Sequence, residues 1–198
     1  MISKKEISEI RKLKGQLRVA AFHSDAKYLE RVEGKEKLEE VRRVIKKVEP
    51  DFDLESKASS SWCPLYWGVL VLLTVKEVCS WGDKEIYEMG RRSPRYSFIV
   101  RTILRYFSSF ERVCQEAPNY WKKFYSVGSL ELGEFNESQK YAVFKIKDFE
   151  SHPILCLYFQ GFFQGLIEIT NPAEKVAIKE RKCVSKGDKY HEFVVSWK

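Results

Sequence analysis

At 198 residues, with 44% apolar and 14% aromatic side chains, the chain has a globular composition and is too rich in core-forming residues to be a disordered tail. Its formal charge of +7 is spread among acidic neighbours, so it favours acidic partners only in a general way. Five cysteines at irregular spacing exclude a disulfide framework, and residues 1–15 are too charged for a cleavable signal peptide; a reducing cytoplasm is the expected compartment.

Residues 3–14 read as a short helix, with Ile7, Ile10 and Leu13 at helical spacing and Ser3 with Glu6 as a capping box. Gly15 ends it. Its basic residues would suit a nucleic-acid arm, but the apolar stripe argues for docking onto the domain. Residues 16–29 fit a helix slightly better than a strand. Residues 35–48 form an amphipathic helix, with Leu38, Val41, Val44, Ile45 and Val48 on one stripe and Pro50 as its stop. No second helix stands at the spacing of a helix-turn-helix reader. After a polar connector at 51–60, residues 62–81 carry the most apolar run. Its apolar residues go nearly all round, the mark of a buried helix or a membrane span. A span needs about 20 apolar residues. Pro64 and Lys76-Glu77 leave far fewer, so a core helix is expected.

Asp83 is expected to cap a short helix through Met89. Ser93-Pro94 would then open a longer one, with proline at the first helical position. Its apolar face would hold Phe98, Ile99, Ile103, Tyr106, Phe107, Phe110 and Cys114. Arg91, Arg92, Arg95, Arg101, Arg105 and Arg112 make this the most basic region, either a solvated face or an acid-binding surface. Residues 118–125 read as a short aromatic helix. From residue 126 the period changes to two. Strands are expected at 126–135 and 141–149, with Ala142, Phe144 and Ile146 on one face. A helix at 153–170, ended by Asn171-Pro172, and a hairpin of 175–184 with 189–197 complete the chain. The expected fold is α+β, with N-terminal helices packed on a C-terminal antiparallel sheet in strand–strand–helix–strand–strand order. One domain spans 1–198: a helical part at 1–60, core helices at 61–125 and an α/β, ligand-binding-like part at 126–198.

The candidate chemistry lies from Cys156 onward. A turn centred on Gly187 pairs Cys183 with His191, and residues directly opposite on a hairpin have Cβ atoms roughly 4.5–5.5 Å apart. A thiolate and an imidazole placed so can share a tetrahedral metal ion. Cys156, on the preceding helix, offers a further donor. Glu180 stands three residues before Cys183, so it joins them only if the strand bulges near Arg181-Lys182. The alternative is ordinary packing, since a buried cysteine behaves as a small hydrophobe. Within the helix, Gly161 and Gly165 allow close approach of the sheet or of a ligand. Tyr158, Phe159 and Phe162 around them suit an apolar lining, so Tyr158, Phe159, Gly161, Phe162 and Gly165 form the candidate ligand-binding set.

The order Cys156, Gly161, Gly165, Glu180, Cys183, Gly187, Asp188, His191, Phe193 resembles the pattern of the 4-vinyl-reductase-type domain, a small-molecule-binding module of bacterial and archaeal regulators. That pattern is a cysteine, a glycine-spaced helix, then Glu-x2-Cys-x3-Gly-Asp-x2-Cys-x-Phe, and His191 departs from it. In phenol-sensing members the Cys, Glu, Cys, Cys set holds a structural zinc, which implies zinc on Cys156, Glu180, Cys183 and His191. Ser61-Trp62-Cys63-Pro64-Leu65, Ala117-Pro118-Asn119-Tyr120-Trp121 and His152-Pro153 extend a likeness over most of residues 15–198. It is to an uncharacterised family found in myxobacteria and relatives. Both families are similar in fold to heme-NO-binding sensors and to transport-particle (TRAPP) subunits. Heme itself is not expected, because its usual ligand is a histidine and none stands in the middle of an expected helix.

No phosphate-binding loop, dinucleotide fingerprint, nucleophile elbow or H-E-x-x-H occurs. A Cys183/His191 dyad on a hairpin lacks a group to activate it. The expected function is therefore a non-enzymatic sensor or regulatory domain for a small, largely apolar ligand, with a structural zinc. The alternative is a dimerising scaffold or other partner-protein module like the transport-particle subunits. Neither nucleic acid nor a membrane span is expected.

Overall fold

The structure is a computed structural model, and it describes residues 2–54, 56–97, 100–102, 110–170 and 175–198. Helix α1 (Lys4–Ile10) starts where Ser3 Oγ accepts the Glu6 amide at 3.1 Å. It buries Ile10, and Arg11 donates to the Val48 carbonyl (2.9 Å) and the Glu49 carboxylate (3.0 Å). The basic N-terminal segment is thus docked.

Residues 16–29 divide where a single helix was expected. Strand β1 (Gln16–Arg18) pairs antiparallel with β2 (Trp62–Pro64), Leu17 opposite Cys63, before α2 (Ala20–Glu33) begins. The partner strand lies far along the chain, so local propensity carries no trace of it. Gly34, at φ +87°, turns the chain into α3 (Lys35–Val48), which buries Leu38, Val41 and Ile45. Helix α4 (Leu65–Val78) is the expected core helix, shortened because 62–64 is strand. Among the described residues no helix is long and apolar enough to cross a membrane.

Helix α5 (Asp83–Tyr96) runs on past Met89, so the expected break before Pro94 is corrected. Gly82, not Asp83, is its N-cap, and the Gly82 amide donates to Glu85 at 2.8 Å. Pro94 falls in the last turn, where the helix is already ending. Ser97 Oγ then accepts the Val100 amide at 3.2 Å, capping the helical residues 100–102. Helix α6 (Phe110–Phe124) continues through Pro118, which the sequence reading placed at a helix start. Phe110 and Cys114 are buried. Phe98, Ile99, Ile103, Tyr106, Phe107 and Arg105 lie outside the described residues, as does Asn171-Pro172.

Strands β3 (Ser129–Asn136) and β4 (Tyr141–Lys147), helix α7 (Pro153–Thr170), and strands β5 (Val176–Lys182) and β6 (His191–Trp197) complete the fold. The sheet is wholly antiparallel, in the order β3-β4-β6-β5. Period two puts Ala142, Phe144 and Ile146 on one face, paired with Val195, Phe193 and His191. Helix α7 covers that face: the Phe163 ring lies 5.4 Å from Phe193 and 5.8 Å from Phe144. Burying each such ring contributes about 1.5–3 kcal/mol. Helix α5 crosses the other side of α7. There Arg91 pairs with Glu168 at 2.7 Å and Glu88 at 2.9 Å, while Arg92 reaches Glu88 and Arg95 reaches Glu168. This part of the basic region is an acid-paired surface.

Candidate metal centre and ligand cavity

Alternation along β6 sends His191 to the inner face with Phe193, Val195 and Trp197. Cys156 stands in the first turn of α7, directly above it. Register pairs Glu180 with Phe193 and Lys182 with Glu192, so one extra residue sits in β5 between them. That β-bulge reverses the parity that would otherwise separate Glu180 from Cys183. The turn is wider than a hairpin centred on Gly187. A 3₁₀ turn (Val184–Lys186) follows Cys183, with Gly187 at φ +96°, and ladder pairing resumes only with Glu192 opposite Lys182. Asp188 Oδ2 accepts the Cys183 amide at 2.8 Å and holds the cysteine in place.

The four side chains converge. Cys156 Sγ lies 3.5 Å from Cys183 Sγ and 3.6 Å from His191 Nδ1, and His191 Nδ1 lies 3.5 Å from Glu180 Oε1. One donor atom from each residue falls within 4.8 Å of all the others. Cys156, Cys183 and His191 are buried, and the Glu180 side chain is 7% exposed. The imidazole is oriented from behind, since Nε2 lies 3.1 Å from the Phe149 carbonyl and 3.4 Å from Ser151 Oγ. With its proton on Nε2, the ring turns a lone pair inward from Nδ1. Glu180 Oε1, buried and without a hydrogen-bond donor, faces the same point. Two sulfurs, a nitrogen and an oxygen thus present electron pairs to one space, the arrangement that a cation relieves.

Electrostatics around the cluster agree with that reading. Burial raises the Glu180 pKa, but the close polar groups of His191, Cys156 and Cys183 and the charge of Lys186 outweigh it, and the net shift is downward. Burial pushes the Cys156 thiol up, with Glu180 and Cys183 adding to the rise. A bound cation inverts that last effect, because coordination deprotonates a thiol outright.

The candidate ligand residues separate into two groups. Tyr158, Phe159 and Phe162 line an apolar cavity of about 140 Å³ between α2, α5, α6, α7 and the sheet. Trp121, Tyr125 and Phe144 add to its aromatic wall, and sequence reasoning missed them because they sit on other elements. Gly161 and Gly165 do not line it. A Cβ on Gly161 would collide with the Tyr87 carbonyl, one on Gly165 with the Arg91 carbonyl, and one on Gly90 with the Tyr158 carbonyl. These glycines let α5 and α7 cross backbone to backbone, instead of easing a contact with sheet or ligand. The Tyr158 hydroxyl donates to Asp25 at 2.8 Å and lies 3.0 Å from Ser93 Oγ. Burial pushes the Asp25 carboxyl up to about 7, against the hydrogen bonds from Ser93 and Tyr158. Nothing in the sequence marks Asp25, an acid on an otherwise ordinary amphipathic stretch.

No family model matches the chain, and no curated protein is similar enough to be matched. Solved structures are similar. An H-NOX protein from S. oneidensis in the Fe(II) ligation state superposes with a TM-score of 0.71 at 12% identity, covering 92% of this chain and 96% of that one. An oxygen-binding H-NOX domain related to soluble guanylate cyclases, solved as its oxygen complex, gives 0.67 at 10% identity, with 92% and 95% covered. A mutant Fe(II) unliganded H-NOX protein from K. algicida gives 0.65 at 14%, with 92% and 97% covered. The chain therefore has the fold of the heme-NO-binding proteins, as the sequence resemblance implied. The likeness to the 4-vinyl-reductase-type domain and to the wider uncharacterised family is not among these findings. The expectation that excluded heme is corrected, because the fold is shared with proteins solved in iron-ligation states. Its premise was incomplete too, since His23 stands within α2. Among the described residues the cavity offers Cys114, Tyr120, Tyr125 and Tyr158, side-chain types that do ligate heme iron in other proteins.

Proposed function

We propose that residues 1–198 form a single regulatory domain that binds a small, largely apolar molecule without transforming it, and that a structural Zn²⁺ sits on Cys156, Glu180, Cys183 and His191. The observation that carries the first part is the cavity. Its volume is about 140 Å³ and its wall is almost wholly aromatic and aliphatic. A cavity near 150 Å³ with such walls stays dry and takes up a benzene-sized guest. Helix α7 supports the sensor reading, because it supplies Tyr158, Phe159 and Phe162 to the cavity and Cys156 to the metal centre. A change in the cavity wall is then felt at the point where α7 is clamped to the sheet.

The donor set favours zinc: two thiolates, an imidazole and a carboxylate suit a borderline-soft ion in a closed tetrahedral site. Four protein ligands leave no open position for water, so the role is structural. Heme is the second reading, favoured by the likeness to H-NOX proteins; it would supply an iron that binds diatomic gases. Cys114 or a cavity tyrosine would hold it.

Native mass spectrometry with elemental analysis and an absorption spectrum of protein purified without chelator tests both parts and the heme reading. The proposal expects one zinc per chain and retention of an added single-ring hydrocarbon. An intense Soret band on reconstitution with hemin would replace the hydrocarbon reading with heme. A metal-free dimer that retains no guest would support a scaffold instead.

A further inference from the structure

A second cavity, of about 190 Å³, lies between α2, α3, α4 and the loop residues 52–54. Phe22, Leu29, Val41, Ile45, Val71 and Val75 give it an apolar wall. Asp25 also lines it, at 8% exposure, and is the buried charged side chain of the lining. Among the described residues no cation pairs with Asp25; its interactions are the hydrogen bonds with Tyr158 and Ser93. A buried carboxyl without a counter-ion keeps its proton, and a cation set against it is what favours the ionised form.

We propose that this cavity is a binding site for a small primary amine with an apolar body, its ammonium group set against Asp25 and its hydrocarbon against the wall. Phe22 and Phe52, whose rings meet edge to face at 6.3 Å, add aromatic surface that suits a cation. The rim does not argue for an anionic ligand. Arg42 is held by Glu39 at 2.6 Å, Arg43 contacts the Glu39 carbonyl, and Lys46 is exposed. A ligand carboxylate would meet those groups only at the mouth, where ion pairs are weak. The site is separate from the metal centre and adjoins the 140 Å³ cavity, whose lining includes Tyr158 and Ser93, the partners of Asp25.

Binding ionises Asp25, and the displaced proton goes to solvent. Amine affinity therefore rises as the pH passes upward through the Asp25 titration. The other titratable or charged groups facing the cavity are His23 on α2, Glu39, Arg42, Arg43 and Lys46 on α3, and Asp53 in the loop. Tyr158 contacts Asp25 from α7. An Asp25→Asn control separates all of these from Asp25.

Met89 lines the cavity, and Met1 is the single other methionine, so ¹³C-methyl methionine spectra of the full chain report directly on it. Titration with 2-phenylethylamine is expected to shift the Met89 methyl saturably. The affinity should fall about tenfold or more in Asp25→Asn and below about pH 6, the loss expected for one charge-assisted hydrogen bond. Ethylbenzene should bind more weakly than the amine and be indifferent to Asp25→Asn, whereas 3-phenylpropionate should bind more weakly and gain from Asp25→Asn at about pH 8, where Asp25 carries a like charge. Equal amine affinity in wild type and Asp25→Asn, preference for the carboxylate or the hydrocarbon, or a Met89 signal that no amine moves would each overturn the proposal. If Asp25→Asn does not fold, the wild-type pH dependence decides alone, and a flat profile overturns it.

Discussion

Cys156 Sγ and Cys183 Sγ lie 3.5 Å apart although 27 residues separate them, one in the first turn of α7 and the other just past the end of β5. The sheet bulge, the Asp188 contact to the Cys183 amide and the burial of His191 all serve that meeting. Without a cation it brings four electron-pair donors together in a buried space. The geometry makes sense as a clamp between helix and sheet.

Loss of the clamp is the first expectation. Cys183→Ser should lose bound zinc and lower the melting temperature, by the equivalent of about 2 kcal/mol or more, because metal binding to the native site is linked to folding. Lys186→Ala should lose neither, since Lys186 is 74% exposed and reaches Glu180 only at 3.6 Å. Elemental analysis and thermal melts with and without chelator read both. A chelator-insensitive melt in the wild-type protein would reduce the cluster to packing.

The glycine crossing gives the second. Gly161→Ala places a methyl group against the Tyr87 carbonyl, a backbone atom that cannot rotate away. Overpacking of this kind costs about 1–3 kcal/mol. Gly165→Leu, against the Arg91 carbonyl, should cost more. Neither change touches the cavity lining, so ligand uptake by the folded fraction should persist. Melting curves and hydrocarbon retention together check this; an unchanged melt would mean that α5 and α7 do not cross so closely.

Much of this was legible in the chain, for local reasons. The alternation of Ala142, Phe144 and Ile146 set the inner face of β4, and Cys183 and His191 could be placed near one another from turn and spacing alone. The bulge that brings Glu180 to the cluster could be named as a requirement but not foreseen, because it depends on pairing with β6. Pro94 and Pro118 misplaced two helix boundaries. Proline marks a break only when packing does not hold the helix together, and Ser93 and Pro94 are buried. Leu17 opposite Cys63 was invisible for a related reason: a three-residue strand has no period. Gly161 and Gly165 were marked as a close approach, but the partner that approaches is α5, and spacing does not name partners.

Acid pairing of the arginines sets a third expectation. Arg91, Arg92 and Arg95 are engaged by Glu88 and Glu168, and Arg112 by Glu116. Duplex DNA should therefore bind weakly and without sequence preference, and the affinity should fall steeply with salt as counterions are released. Fluorescence anisotropy over a salt series measures it. Salt-resistant, sequence-selective binding would assign this face to nucleic acid.

The last expectation concerns Asp25 and pH. Its folded-state pKa is raised from 3.8 to about 7, with burial as the main cause. The folded state thus holds the proton more tightly than the unfolded chain does. The stabilisation linked to this proton is fully present below the unfolded value of about 4 and is lost as pH rises through about 7. A shift of that size corresponds to a few kcal/mol, on the order of 1.4 per pH unit. Burial lowers the His152 pKa, and its stability contribution runs the opposite way, so the wild-type slope alone is not diagnostic. The comparison with Asp25→Asn is. Asparagine keeps an acceptor for Tyr158 but cannot ionise, so the variant should gain stability relative to wild type as the pH rises from about 4 to about 7. Denaturant melts of both proteins at matched pH, with the metal content held constant, give the difference. A difference that stays flat across that range would show that Asp25 is already ionised and compensated at low pH.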